Sequence, residues 1–274
     1  MNLLRLITFR QQAAAGFDPD AQAFITAAGI TDPTQQSAIN TLVLDLKGYG
    51  IWTKMKAVYP FVGGTATTHK YNLKDPRDLD AAFRLTFSAG WAHSSNGALP
   101  NGSSAWAESY LNGSTELSAT STHLSLYSRT DSPLQVRYDM GNIVTSPAVL
   151  GTHLGIGTAS GTNSTFRTRL ASGTASGTNN VPNTTGFFVG NREPSSSNIT
   201  NYRNGSLVES YTSTASSHLN QTIVIGAIRF NNSITQYSNK EFAFMSIGDG
   251  LTSTEASNLY TSVQAYQTTL GRQV

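Results

Sequence analysis

Residues 237–274 read YSNKEFAFMSIGDGLTSTEASNLYTSVQAYQTTLGRQV, and the period changes halfway along. EFAFMSI alternates apolar and small or polar residues as a half-buried strand does. Beyond it, Ala256, Leu259, Val263, Tyr266 and Leu270 recur at helical spacing. Thr252 and Glu255, three residues apart, form a capping box in which each side chain satisfies the other's free backbone N–H. Gly271 suits the residue that ends such a helix. An amphipathic helix must bury its stripe, and the large surface at hand is the sheet whose last strand directly precedes it. The stretch therefore predicts a sheet whose final strand hands the chain to a helix packed back on that sheet.

Upstream, from about residue 66, apolar runs are short and alternating: AFRLTFSAGW, HLSLYSR, LQVRYDM, GFFVGNR and TIVIGAIRF. Asn-Gly pairs at 96–97, 101–102, 112–113 and 204–205 separate them, and such pairs favour the positive φ of tight turns. NYRNGSLVESY is the clearest hairpin, with Asn204-Gly205 between two alternating arms. Many short strands with regular turns predict a mainly β sandwich or jelly roll. GTASGTN occurs at 157–163 and again at 173–179, flanking a strand through Phe166, Thr168 and Leu170. Both copies read as loops, with an exposed recognition edge as the functional alternative.

The first part of the chain reads differently. Asp18 followed by Pro19, with Gly29 at the far end, marks one helix; Asp32 followed by Pro33 marks a second. Ile39, Leu42, Val43 and Leu46 keep helical spacing, and Ile51, Trp52, Met55 and Val58 resume it until Pro60. Two or three short helices are expected over 18–59, giving a tail and helical anchor segment at 1–64 and a β domain at 65–274. Leu3, Leu4, Leu6, Ile7 and Phe9 would be poorly satisfied on a free tail and are candidate oligomer or anchor contacts.

Charged residues make up 12 % of the chain, about half the usual share, so neutral hydroxyl and amide groups keep its surface soluble. That balance is common outside cells and on virus particles. The net charge of +2 is scattered, without the basic stripe that nucleic-acid binding needs, so no nucleic acid is expected as a partner. No apolar run approaches the ~20 residues of a membrane span. There is no cysteine, hence no disulfide and no thiolate metal site. Arg5 interrupts the short apolar start, which argues against a secretory signal.

FFVGNREPSSSNITNYRNGSLVESY, TIVIGAIRF and EFAFMSIGDGLTSTEASNLYTSVQAYQTTLGR together resemble the concanavalin A-like (laminin G-like) jelly roll of bacteriophage structural proteins. In that family a strand ending in IGDGLT leads into a short helix and an LGR finish. YNLKDPRDLDAAFRLTFSAGWAHSSNG, LPNGSSAWAESYLN and LSLYSRT resemble its front half, and ITDPTQQSAINTLVLDLKGYGIWTKMKAVYPFVGG its helical lead-in. The likeness runs from about residue 20 to the end and contains no catalytic signature. It implies a concanavalin A-like sandwich in a virion protein (spike, fibre tip or capsid decoration) assembled in the host cytoplasm. The implied partners are other virion proteins and further copies of this chain, with a trimer favoured because related spikes are often trimeric.

Chemistry is sparse. A retaining glycosidase needs two carboxylates ~5–5.5 Å apart, and no E-x-D-x-E strand supplies them. His69, His93, His123, His153 and His218 are far apart in sequence and form no metal motif. The acids of DPRDLD, Asp75 to Asp80, could hold calcium, but Asp75-Pro76 with Arg77 reads more simply as a turn. No cofactor or metal is expected, and the chain reads as no enzyme. Trp91, Trp106 and Tyr110 beside Gly/Asn/Ser-rich loops, with Arg192 and Tyr202 near another loop, are the candidate contacts for a host-surface glycan. The competing reading places these aromatics in the sandwich core or at an edge. A carbohydrate-binding module, and less favourably a polysaccharide hydrolase, are the alternatives to a purely structural virion role.

Overall fold

A computed structural model describes residues 16–132, 137–157, 164–174 and 179–274. Leu3, Leu4, Leu6, Ile7 and Phe9 lie outside them, as do Leu134–Val136 of LQVRYDM and most of both GTASGTN copies. The chain opens with α1 (Pro19–Ala28), α2 (Pro33–Gly48), β1 (Met55–Tyr59) and the single turn α3 (Ala66–His69). There follow β2 (Thr86–Phe87), β3 (Trp91–Ser94), β4 (Gly97–Pro100), β5 (Ala107–Asn112), the turn α4 (Gly113–Glu116), β6 (Thr122–Ser128), β7 (Met140–Val144), β8 (Leu150–Gly157) and β9 (Ser164–Ser172). The chain closes with β10 (Asn179–Val181), β11 (Gly186–Arg192), β12 (Asn198–Arg203), β13 (Ser206–Thr212), β14 (Thr222–Ile225), β15 (Ile228–Phe230), β16 (Ser233–Thr235), β17 (Phe242–Gly248) and α5 (Ser253–Thr269).

The strands form two sheets packed face to face, a jelly-roll-like sandwich. The first runs β13-β12-β11-β6-β17, and the far edge of β17 is shared by β4 at its start and β1 along the rest, with β3 outermost beyond β4. The second runs β10-β9-β8-β7-β14-β5-β2, with β15 joined to β7 and β16 to β15. Leu124, Leu126, Phe188, Met245 and Ile247 of the first sheet meet Leu154, Ile156, Phe166, Ile223 and Ile225 of the second between the layers. Neighbouring residues on the first sheet's strands, Tyr127, Phe187, Val189 and Phe244, point the other way, as period-2 alternation requires. They meet Phe24 of α1, Ile39, Leu42, Val43 and Leu46 of α2, and Leu259, Val263 and Tyr266 of α5. The molecule thus has three layers, helix on sheet on sheet.

The terminal helix is built as its sequence predicts. Thr252 accepts from the Glu255 N–H at 3.2 Å and Glu255 accepts from the Thr252 N–H at 2.7 Å. Gly271 stands at φ +65° beyond its end. Asp18 and Asp32 cap α1 and α2, and Gly29 ends α1 in the left-handed region. At the hairpin between β12 and β13, Asn204 and Gly205 both take positive φ, 48° and 74°, which a two-residue turn of that hand needs.

The helix expected through Ile51–Val58 is a correction. Trp52–Lys54 make one tight turn, and Met55–Tyr59 are strand β1, paired to β17. A bulge between Met55 and Ala57 explains the misreading. The extra residue puts Met55 and Val58 on the same side, facing the helices, while Ala57 and Tyr59 enter the sandwich. Two apolar residues three apart imitate a helical stripe. The division expected at 64/65 therefore falls after a strand that belongs to the first sheet, and α1 and α2 share one core with α5.

Candidate functional site at the open edge

β3 ends the order of the first sheet and β2 that of the second, and the two strands meet through their side chains. Phe87 of β2 and Trp91 of β3 meet edge to face with ring centroids 5.2 Å apart, and Trp91 touches Phe242 at 6.0 Å. The Trp91 indole N–H donates to the Trp106 carbonyl at 3.0 Å, which also accepts the Ser88 N–H at 2.9 Å. Gly226, at φ +81°, leaves the space the indole needs; a Cβ there would come within 2.7 Å of the ring. The tryptophan is thus fixed on one edge and half-buried.

Beside it lies a cleft of about 530 Å³ lined by Gly90, Trp91, Ala92, Leu99, Pro100, Asn101 and Asn239. Asn101 organises its rim: its carbonyl oxygen accepts from the N–H groups of Ser103, Ser104 and Ala105 at 2.9–3.0 Å. Gly90 is required here, since a Cβ would stand 2.4 Å from the Asn101 amide nitrogen. The Asn239 carbonyl oxygen accepts from the Ser132 hydroxyl at 2.6 Å, so its NH₂ is the group left to donate. Among the described residues neither acid nor base lines this cleft.

On the other side of Phe87 a smaller cleft of about 260 Å³ is lined by Ala66, Thr67, Lys70, Arg84, Leu85, Thr86 and Phe87. Its two cations are already matched, Lys70 by Asp78 at 2.5 Å and Arg84 by Asp78 and Asp80 at 2.8 Å each. With Asp75 held by Arg77, the DPRDLD acids are engaged in ion pairs, as a turn would have them. Among the described residues no group of three or more His, Asp or Glu could hold a metal ion, and no helix is long and apolar enough to cross a membrane.

The structure sorts the candidate glycan contacts. Trp91, Trp106 and Tyr110 fall in one region, with the Tyr110 hydroxyl donating to Thr86 at 3.0 Å. Arg192 and Tyr202 do not join them, and both are corrections. Arg192 is fully buried, and its guanidinium donates to the carbonyls of Ser213 at 2.6 Å and Leu170 at 3.0 Å, tying the sheets together. Tyr202 is 8 % exposed and packs under the helices. Neither offers a surface to a ligand.

Sequence reasoning also missed a pair. His69 of α3 and His93 of β3 meet with their Nδ1 atoms 2.9 Å apart, and His93 stands 4.7 Å from the Phe87 ring and 6.2 Å from Trp91. Burial holds the His69 imidazole down to about 3, helped by His93 and Arg272, and burial also lowers His93. Twenty-four residues and a change of element separate the two, so no spacing signals them.

No protein-family model matches the chain, and no curated protein matches it. Solved structures do. A mutant of Trypanosoma rangeli sialidase displaying trans-sialidase activity matches with a TM-score of 0.53 at 11 % identity, over 84 % of this chain and 39 % of the sialidase. Domain 4 of AbnA, a GH43 extracellular arabinanase from Geobacillus stearothermophilus, in complex with arabinotriose, matches with a TM-score of 0.44 at 13 % identity, over 75 % of this chain and 98 % of that domain. The binding domain of Paraclostridial Mosquitocidal Protein 1 gives 0.47 at 13 %, over 77 % and 52 %. The sialidase likeness bears on the fold, and the chain spans 39 % of that enzyme's length.

Proposed function

We propose that this chain is a non-enzymatic glycan-contacting module carried on a bacteriophage virion, as a spike, fibre-tip or capsid-decoration protein. The observation that carries the glycan reading is the uncharged cleft beside Trp91. It offers an aromatic platform, an apolar rim of Ala92, Leu99 and Pro100, and an amide donor on Asn239. Sugars present apolar C–H faces and rings of hydroxyls, which such a surface matches. The absence of charge in the lining favours neutral or N-acylated sugars over acidic ones. Among the described residues no carboxylate lines either cleft, which supports binding over hydrolysis.

The virion part of the reading rests on the resemblance of the IGDGLT-to-LGR ending and its lead-in. Self-association as a homo-oligomer belongs to the same proposal, with light scattering on the full chain as its check. Retardation of the protein in gels containing host-surface polysaccharide tests the glycan reading. The wild type should be retarded by at least one neutral polysaccharide and Trp91→Ala at least tenfold less. A wild type that migrates unchanged through all of them would overturn the reading. Purified virions lacking the protein would remove its virion setting.

A further inference from the structure

We propose that His69 and His93 form a proton-operated latch on the Trp91–Phe87 platform, closed when both rings are neutral and opened by one added proton on His93. The inference rests on the glycan reading for its consequence: the cleft holds its ligand more tightly at neutral pH than in mild acid.

The hydrogen bonds fix the proton count. The Gly64 N–H donates to His69 Nε2 at 3.2 Å, so that nitrogen carries a lone pair. A neutral His69 then has its proton on Nδ1, which faces His93 Nδ1 at 2.9 Å. His93 Nδ1 must accept, and its own proton sits on Nε2. A proton added to His93 Nδ1 sets two N–H groups against each other. The alternative tautomer, with His69 protonated on Nε2, sets that proton against the Gly64 N–H. Either way one of the two hydrogen bonds is lost, so the closed arrangement admits one proton per ring and no more.

The surroundings choose which ring takes the extra proton. On the His69 side stands the Arg272 guanidinium, bonded to the carbonyls of Phe61 and Ser95. Lys70, which follows α3, is turned to Asp78. Just before β17, Glu241 accepts from Ser94 at 3.4 Å but is held by Arg129 at 2.7 Å. From β1, Tyr59 donates its hydroxyl to the Phe83 carbonyl; on β5, Glu108 is paired with Arg229. Strand β4 brings no charge. His69 is buried at 1 % exposure against the edge of Phe61, whereas His93 is half-buried. His93 is the ring that meets solvent protons first. It is also the ring in contact with Phe87 and Trp91, so its departure from His69 disturbs the platform directly.

Two measurements test the latch. In long-range ¹H–¹⁵N spectra at pH 7.5, His69 should be protonated on Nδ1 and His93 on Nε2. On acidification to pH 5, His93 should gain a proton while the Trp91 indole N–H resonance, assigned with Trp91→Phe, shifts with the same midpoint. The opposite tautomers, or an indole resonance unmoved through the His93 titration, would overturn the latch. In polysaccharide gels the wild type should lose at least fivefold in retardation from pH 7.5 to pH 5. His93→Asn, whose Oδ1 replaces the accepting nitrogen without titrating, should keep its neutral-pH retardation. An equal fall in both proteins overturns the latch and leaves the glycan reading standing. Resonances that shift as expected, with no polysaccharide retained at any pH, support the latch and overturn the glycan reading.

Discussion

The outer face of the first sheet and the edge where β2 meets β3 are both rich in aromatics, yet the fold finishes them differently. On the outer face Tyr127, Phe187 and Phe244 are wholly covered by α1, α2 and α5. At the edge Phe87 and Trp91 stay half-buried, with a cleft on either side. The covered aromatics contribute stability by leaving water, about 1.5–3 kcal/mol each. The edge aromatics are braced by neighbours while keeping a surface, which is what recognition requires. An aromatic is informative about function here only once its cover is known.

Removing the cover should have the largest effect. A fragment starting at Thr65 loses β1, which pairs with β17, and loses Phe24, Ile39, Leu42, Val43 and Leu46 from the face of α5. Five such side chains at ~1.5–3 kcal/mol each match the ~5–15 kcal/mol net stability of a typical domain. The division expected from the sequence makes this fragment a β domain of its own; the three-layer packing predicts instead that it aggregates or lacks cooperative unfolding. Circular dichroism during urea unfolding decides, and a sharp transition for the fragment would break the comparison between covered face and open edge.

Next in size is the bolt that holds the cover down. Arg272 is 1 % exposed and donates to Gln267 Oε1 at 2.7 Å and to the carbonyls of Phe61 at 2.7 Å, Pro60 at 2.8 Å, Ala243 at 3.0 Å and Ser95 at 3.3 Å. It joins the end of α5 to β17 and to the two loops beside β1 and β3. Pro60 keeps the Tyr266 hydroxyl and Ala243 keeps the Gln267 amide, but Arg272→Ala takes the guanidinium from the Phe61 and Ser95 carbonyls and from Gln267 and should cost roughly 3–4 kcal/mol, read as a shift in urea midpoint. Arg272→Lys should recover only part, because an ammonium cannot reach the planar spread of acceptors.

What the sequence made legible follows the same division. Caps and stripes are local, so Asp18, Asp32, Thr252, Glu255 and the apolar faces of α2 and α5 announced the helical layer. The alternating runs announced most strands, and Asn204-Gly205 its hairpin. The bulge at β1 hid a strand because it shifts two side chains onto one face. The site was less legible because it is assembled from β2, β3, β5 and the Asn239 loop, which meet only in the folded chain. Arg192 looked like a loop-edge contact, and only the Ser213 and Leu170 carbonyls around it reveal a structural role.

Acid should weaken the whole molecule before it touches the carboxylates. Burial holds His123 at about 4 and, with Arg169 and Arg167 nearby, His153 at about 3; His69 is at about 3. In the unfolded chain each would protonate near 6.5. The native state therefore binds fewer protons than the unfolded state between those values, and stability falls as pH falls through 6.5. Each imidazole contributes ~1.4 kcal/mol per pH unit, so three give a slope of roughly 4 kcal/mol per unit between about pH 6 and pH 4. Urea midpoints measured from pH 8 to pH 4.5 check this, and a flat profile would contradict the burial of these rings. His93, also lowered by burial, adds to the slope in the same direction, so His93→Asn should make it shallower without abolishing it.

The smallest effect sharpens the comparison most finely, because it sets two single oxygens against each other. Thr252 caps α5 through its hydroxyl, and Glu255 returns the bond while also meeting the Lys54 ammonium at 2.6 Å. Burial works against the Glu255 charge, but Lys54 and the Thr252 groups hold its pKa below the ordinary value, so the box persists at neutral pH. Thr252→Ala removes the acceptor from a helix whose stripe covers the first sheet, and should cost ~1 kcal/mol. At the open edge the Tyr110 hydroxyl donates to Thr86 at 3.0 Å in an exposed setting where water can replace it. Tyr110→Phe should cost less than about 0.5 kcal/mol. Urea midpoints of the two variants, measured side by side at pH 7.5, give the ratio directly. If Tyr110→Phe cost as much as Thr252→Ala, the edge would be structural in the same sense as the covered face, and its aromatics would lose their standing as a binding surface.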